Sequence, residues 1–394
     1  MRQVGAHTAG ARPWGLRPTP ASELPKAWAA EGADMHKLSH LVVYHDPLAW
    51  AAVPANNGAN GPAWQWGDEI LVGFTRGTFS RSDTGHQCDG SRPFASWLAR
   101  SSDAGETWNP WQPMNYAGCS GLEITRSVAL DFTAPGLVLR VEGNGYHGNA
   151  GARWFCSWDR AATWHGPYPF AGLLDCPELA GMEFTGRTAY LVHGTQQLDL
   201  FVSARRATHD RPQTVAILEK PFVARTEDGG QNWRFVTWIV PWSDPDRAVM
   251  PAPVRLSASD LVAAVRRKSG THNWIDAYAS IDNGASWAHR ARVGETETGN
   301  AYNGNPPALI LLGDGRLCCA YGNRSSRRIL ATFSADGGYT WSHPQVLRDD
   351  FHSANGWPDL GYCRLFERSD GSRVVVYFWC TQERPQTHIA ATVF

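Results

Sequence analysis

Long apolar runs are absent from this chain. None approaches the roughly 18 residues of a membrane span, although 43% of the 394 residues are hydrophobic. Charge of one sign is also missing: 36 Lys and Arg stand against 37 Asp and Glu, for a formal net charge of −1. That balance argues against nucleic-acid binding, which would want a basic face. None of the eight cysteines has the Cys-x-x-Cys spacing of a zinc module. Cys318 and Cys319 are adjacent on an expected strand and so point to opposite faces; most of the thiols read as small buried hydrophobes. Stretches of helical period are few, with residues 22–30 the best of them. No glycine-rich phosphate loop sits between a strand and a helix, and the sequence demands no cofactor and no metal. The first 20 residues, with Arg2, Arg12 and Arg17, lack the apolar centre of a signal peptide. A chain with its signal already removed would look the same, so a secreted or periplasmic location stays open.

What is present is a repeat. Ser334 to Trp341 reads S-A-D-G-G-Y-T-W, and the same eight-residue box recurs as S-S-D-A-G-E-T-W at 101–108 and S-I-D-N-G-A-S-W at 280–287. It returns as T-E-D-G-G-Q-N-W at 226–233, and as S-W-D-R-A-A-T-W at 157–164, where Ala161 replaces the glycine. The central aspartates Asp103, Asp159, Asp228, Asp282 and Asp336 stand 56, 69, 54 and 54 residues apart. So regular a spacing marks a repeat architecture. The box chemistry predicts a hairpin turn: Asp and Ser side chains bond nearby backbone amides, glycine permits positive φ, and Trp offers a large apolar body to the neighbouring unit. Five of the nineteen tryptophans are spent this way.

These are Asp boxes, and the chain resembles the sialidase superfamily over residues 38–394. The resemblance implies an all-β fold, a six-bladed β-propeller of four-stranded antiparallel blades, behind an irregular leader at 1–37. The strand at 38–44 is expected to pair with the last blade and close the ring. Blade one takes residues 50–54 as inner strand, a Gly/Asn/Trp loop at 56–66, a second strand at 67–74 and a polar insertion at 81–92. Early strands of blade two are expected at 128–131 and 137–141, and an insertion in blade three around 208–218. Blade six has no box of its own.

In such a ring the boxes are architecture and the chemistry sits at the other end. The resemblance implies an arginine triad, a tyrosine nucleophile with a glutamate partner, and an aspartate acid/base. Two of these parts are replaced: Ala52 stands where the first triad arginine belongs, in Ala51-Ala52-Val53-Pro54, and Met250 takes the place of the glutamate in Met250-Pro251. Arg266 matches the second arginine; Arg324, Arg327 and Arg328 compete for the third; Tyr362 matches the nucleophile, with Arg364 following in place of a small residue. A tyrosine hydroxyl with pKa near 10 needs a base to attack, so hydrolysis of sialosides in the usual manner is not expected.

The remaining residues suggest another sugar reaction. His86, in Gly85-His86-Gln87-Cys88-Asp89, is the expected general acid or base, with Asp89 or Asp68 to orient it. Tyr362 is the second catalytic candidate. Arg266, Arg364, Arg324, Arg328, Arg187 and Arg92 are candidates to hold an anionic sugar, while His147 reads as a turn residue, and Trp66, Trp274 and Trp357 as packing or sugar platforms. The expected partner is an oligosaccharide or polysaccharide. The first functional expectation is hydrolysis of a terminal glycosidic bond in an acidic glycan. Three others stand beside it: a lyase acting at a uronate of rhamnose–glucuronate type, a non-catalytic glycan-binding propeller, and an exo-sialidase whose missing groups are supplied from elsewhere, with Asp359, Asp68 and Asp89 as candidate carboxylates.

Overall fold

The computed structural model describes residues 38–53, 63–113, 128–142, 152–206, 218–299 and 303–394, with the side chains of 186–188 left aside. The expected leader at 1–37, the helical stretch at 22–30, His147 and residues 208–217 of the blade-three insertion lie outside the described residues.

Lys37–Phe394 forms one compact unit, and its strands build six antiparallel sheets. The first strand, β1 (Ser39–Tyr44), belongs to the last sheet. Blade one holds β2 (Ala49–Ala52), β3 (Ala63–Trp66), β4 (Glu69–Thr78), β5 (Ala95–Ser101) and β6 (Asn109–Trp111); blade two holds β7 (Val138–Glu142), β8 (Arg153–Ser157) and β9 (His165–Pro169). Blade three follows with β10 (Met182–Val192), β11 (Leu198–Arg206), β12 (Glu219–Thr226) and β13 (Arg234–Trp238). Blade four comprises β14 (Arg247–Arg255), β15 (Leu261–Ser269), β16 (His272–Ser280) and β17 (Ala288–Glu297); blade five comprises β18 (Ala308–Leu311), β19 (Leu317–Asn323), β20 (Arg328–Ser334) and β21 (Gln345–Arg348). Blade six, in the order β1-β24-β23-β22, joins β22 (Gly361–Glu367), β23 (Arg373–Trp379) and β24 (His388–Val393) to β1, so the ring is closed by the N-terminal strand. Among the described residues no helix is long and apolar enough to cross a membrane.

Two local expectations are corrected. Residues 63–66, expected in a loop, form β3, which pairs with β4 across a turn at Gly67 (φ 62°). The inner strand of blade one is therefore split, β2 and β3 lying end to end along β4. Residues 128–131, expected as a strand, are not one. The Leu130 amide donates to Gly229 O, and the Asp131 carboxylate accepts from the Thr133 amide, so these groups serve turns and a neighbouring loop. Blade two accordingly shows three strands among the described residues.

Each blade is apolar on both faces, because each face meets another blade. Along β15, Val262 and Ala264 join the cluster shared with blade five, while Ala263 and Val265 join the one shared with blade three. Cys318 and Cys319 part in the same way, one toward blade six and one toward blade four, as the two-residue period of a strand requires. Six such clusters correspond to the six blade interfaces. The box tryptophans Trp108, Trp164, Trp233, Trp287 and Trp341 each pack into the interface with the preceding blade. The interface of blades five and six, which has no box, buries Trp379 instead.

The boxes share one hydrogen-bond scheme. In the first, Ser101 Oγ donates to Asp103 Oδ1 (2.7 Å) and accepts from the Gly105 amide (2.7 Å), while the Thr107 amide and hydroxyl donate to the two Asp103 oxygens. The degenerate box keeps the scheme. Ala161 takes φ 69° and its amide reaches Ser157 Oγ at 2.8 Å. Hydrogen bonds to the charged form hold the Asp103 carboxyl down at about 2, and those at Asp282 act in the same direction. Such groups stabilise the fold above their unfolded pKa and lose that contribution as pH falls through the folded value. Thermal melts should therefore show Tm dropping between pH 4 and pH 2. Asp336→Ala should cost about 2 kcal/mol at neutral pH and flatten part of that drop; an unchanged pH profile in the variant would separate the box from acid sensitivity.

Candidate active site

The boxes define one end of the ring. β5 runs into the first box at Ser101, whereas β4 leaves its opposite end, at Thr78, into the polar insertion that carries His86. His86 thus lies at the end away from the boxes. Asp68, in the β3–β4 turn, lies at the box end, where its carbonyl accepts from the Ala104 amide.

At the open end His86 meets a residue of blade six. Its Nδ1 lies 2.7 Å from Asp359 Oδ1. Asp359 precedes β22 and is buried, and its other oxygen accepts from Trp50 Nε1 (2.7 Å) and Thr387 Oγ1 (3.0 Å). The His86 ring remains about half exposed, at 48% against 5% for the aspartate side chain, and stands edge-on to Trp50 and Trp357. The Asp359 charge raises the His86 pKa against the opposing effects of burial and of Arg324. For Asp359, burial works to raise the pKa, but the His86 charge and hydrogen bond, then Trp50, outweigh it, and the carboxyl is held low. Burial, with the Asp359 and Asp89 charges, pushes the intervening Cys88 thiol up to about 11, so it stays protonated.

Tyr362 follows at the start of β22. It is buried with φ 54°, its amide donates to Asn305 Oδ1 (3.0 Å), and its ring packs against Phe378. Arg266, on β15, reaches across the ring axis: its Nη1 donates to Tyr362 Oη at 3.4 Å and contacts Met250 Sδ at 3.7 Å. Met250, like Tyr362, has positive φ (58°). From Met250 and Tyr362 a cavity of about 500 Å³ continues along the axis, lined by inner strands of all six blades, Arg140 and Arg364 included.

The other candidates divide. Arg324 is buried in the β19–β20 hairpin, and its Nη1 donates to Asn303 O (2.7 Å); its charge is felt by both His86 and Asp359. Arg327 donates to Gly356 O, while Arg328, at the start of β20, is exposed. Arg364 donates to Cys363 O. Arg187 lies on β10, with its side chain outside the described residues. Asp89 is not the residue beside His86: it accepts from the Ser91 amide and hydroxyl and pairs loosely with Arg92 at 3.8 Å. Trp66 carries the Arg160 guanidinium, and Trp274 donates to Asp276 and stacks on His272. Among the described residues no three His, Cys, Asp or Glu side chains gather where they could hold a metal ion.

A family model described as a BNR repeat-like domain matches residues 136–375. No curated protein matches the chain. Solved structures do. A protein of unknown function from Dyadobacter fermentans DSM 18053 is 19% identical with a TM-score of 0.64, over 90% of this chain and 98% of that one. The α-L-arabinofuranosidase Arb93A of Fusarium graminearum, solved with an iminosugar inhibitor, is 15% identical (TM-score 0.55; 90% and 97% covered). A Hadza microbial sialidase is 16% identical (TM-score 0.57; 87% and 65% covered). At such identities the likeness is one of fold.

Proposed function

The chain belongs to the BNR repeat-like domain family, a sialidase-type propeller family, and from that premise we propose that it is a glycoside hydrolase cleaving a terminal glycosidic bond in an acidic glycan. The observation that carries this is the His86–Asp359 pair at the open end, one partner buried and the other half exposed. A buried carboxylate that fixes the orientation of an imidazole and favours its charged form makes a proton donor that keeps its proton to higher pH. His86 would protonate the departing glycosidic oxygen. Water then adds its hydroxyl to the anomeric carbon, and its remaining proton returns to the imidazole. Arg324 and Arg266 would attract the acidic group of the sugar. Some folds of this kind do act on sugars, as the arabinofuranosidase and the sialidase above indicate by their names.

Elimination at a uronate is the second proposal, and one contact favours it: the Tyr362 hydroxyl faces the Arg266 guanidinium. There Arg266 would neutralise the uronate carboxylate while the Tyr362 oxygen takes the C5 proton and its own proton passes to the departing C4 oxygen. Tyr362→Phe separates the two. Elimination through that oxygen should fall by about 10²-fold or more, whereas hydrolysis driven by His86 should fall far less.

The direct test is incubation with sialosides, rhamnosyl-glucuronides and arabinan oligosaccharides, followed by mass spectrometry and ultraviolet absorbance. Products that have gained water, without new absorbance, support hydrolysis. Absorbance of an unsaturated uronate, without water gain, supports the lyase. Binding with no product from any of them would overturn both in favour of a glycan-binding propeller.

A further inference from the structure

His86 sits on a loop of blade one and its partner on a segment of blade six, and one side chain joins the two. Asn355 Nδ2 donates to Ser82 O (2.8 Å) and Gly85 O (3.2 Å), both on the His86 loop. Its Oδ1 accepts from Ser353 Oγ (2.7 Å) and from the Trp357 amide (3.0 Å), on its own segment. Ser353 Oγ also accepts a long bond from Gln87 Nε2 (3.5 Å). The segment then turns through Trp357 O, which accepts from the Asp359 amide at 2.9 Å. The two ends of one amide therefore serve two purposes: the oxygen shapes the turn that leads to Trp357 and Asp359, and the nitrogen holds the backbone on either side of Asp83 and Thr84, ending one residue before His86.

We propose that Asn355 is a positioning residue, whose amide nitrogen sets the His86 loop in register with Asp359. The proposal deepens the functional reading above, since the register matters to catalysis only if His86 is the proton donor. The register itself, however, is a property of the free protein and can be measured without substrate. The groups that face the His86 ring are Asp359 from blade six, the Arg324 guanidinium from the β19–β20 hairpin, the neutral Cys88 thiol of its own loop, and the rings of Trp50 and Trp357. Of these only Asp359 favours the imidazolium, so a loop that drifts from Asp359 leaves His86 to Arg324 and to solvent.

Two variants distinguish positioning from turn-building. Asn355→Ala loses both halves. Asn355→Asp keeps the oxygen that accepts from Ser353 and Trp357 but turns a second acceptor toward the Ser82 and Gly85 carbonyls. The readouts are the His86 titration by NMR of ring-labelled histidine, assigned by its loss in His86→Gln, and amide hydrogen exchange over 79–94. In Asn355→Ala the His86 pKa should move down toward the ordinary value of about 6.5; in Asn355→Asp the added carboxylate itself favours the imidazolium, so that variant is read by exchange. In both, exchange protection of the loop should fall about tenfold or more. Should Asn355→Asp keep the wild-type protection, the nitrogen has no positioning role and the proposal is overturned; a folded Asn355→Ala that keeps the wild-type titration and protection overturns it equally. Should His86→Gln retain full activity instead, the functional reading fails while the NMR result still decides the register.

Discussion

His86→Gln is expected to lower turnover by about 10²–10⁴-fold, the usual contribution of a positioned general acid or base, with a further loss of stability at low pH because the buried Asp359 carboxylate loses its charged partner. Asp359→Asn should lower turnover as well, but by a different route. The amide keeps the size of the carboxylate and can still meet Trp50 and Thr387, yet it no longer favours the charged imidazole. The wild-type His86 pKa is raised, chiefly by Asp359. A step that needs protonated His86 is therefore available at low pH and is lost as pH rises through that raised value. In Asp359→Asn the alkaline limb of the pH–rate profile should move to lower pH. The sign for folding is the same. The His86–Asp359 pair contributes fully below the ordinary histidine pKa of about 6.5 and loses that contribution as pH rises through the folded value. A profile that keeps its alkaline limb in Asp359→Asn would remove His86 as the titrating acid.

Gly361→Ala is expected to damage the fold strongly. Gly361 has φ 109°, a conformation that side chains rarely adopt, and an added Cβ would lie 2.0 Å from Asn305 Oδ1 and 2.5 Å from its Cγ. Asn305 cannot easily step aside: it is fully buried, it accepts the Tyr362 amide, and Gly322 approaches it so closely that a Cβ there would lie 3.0 Å away. Strain and overpacking together should cost roughly 3–5 kcal/mol, read as a lowered midpoint in urea with unchanged slope. Because Asp359 and Tyr362 flank this glycine, activity should fall further than stability alone explains. A midpoint within error of the wild type would mean that the packing of Gly361 on Asn305 is looser than described.

Most of the ring was legible because the box is a local device. Its Ser, Asp and Thr bond one another within seven residues, so it can be recognised without knowing what lies across the molecule, and its spacing then counts the blades. Blade one, though it holds a box, was not legible strand by strand, because its inner strand is split between residues 52 and 63, and the tryptophans of β3 resembled loop residues more than a strand of period two. At the candidate site, the His86 loop was visible as a polar insertion, whereas its partner was misplaced. Sequence proximity favoured Asp89, which the backbone of its own turn already occupies. Asp359, 273 residues away, is brought near only by closure of the ring. The same holds for Asn305, Asn355 and Trp50, whose importance comes from contacts at long range rather than from residue type.

The seam between β1 and β24 has a consequence for manufacture. His86 and Trp50 leave the ribosome early and Asp359 late, and their meeting requires the strands on both sides of that seam to be in place. A half-made propeller therefore carries its imidazole unarmed: the Trp50 indole is already there, but no carboxylate has come to charge the ring. Proton-transfer competence would switch on at the moment the circle closes, and it would report, more sharply than any single blade's folding, whether a given molecule had been finished.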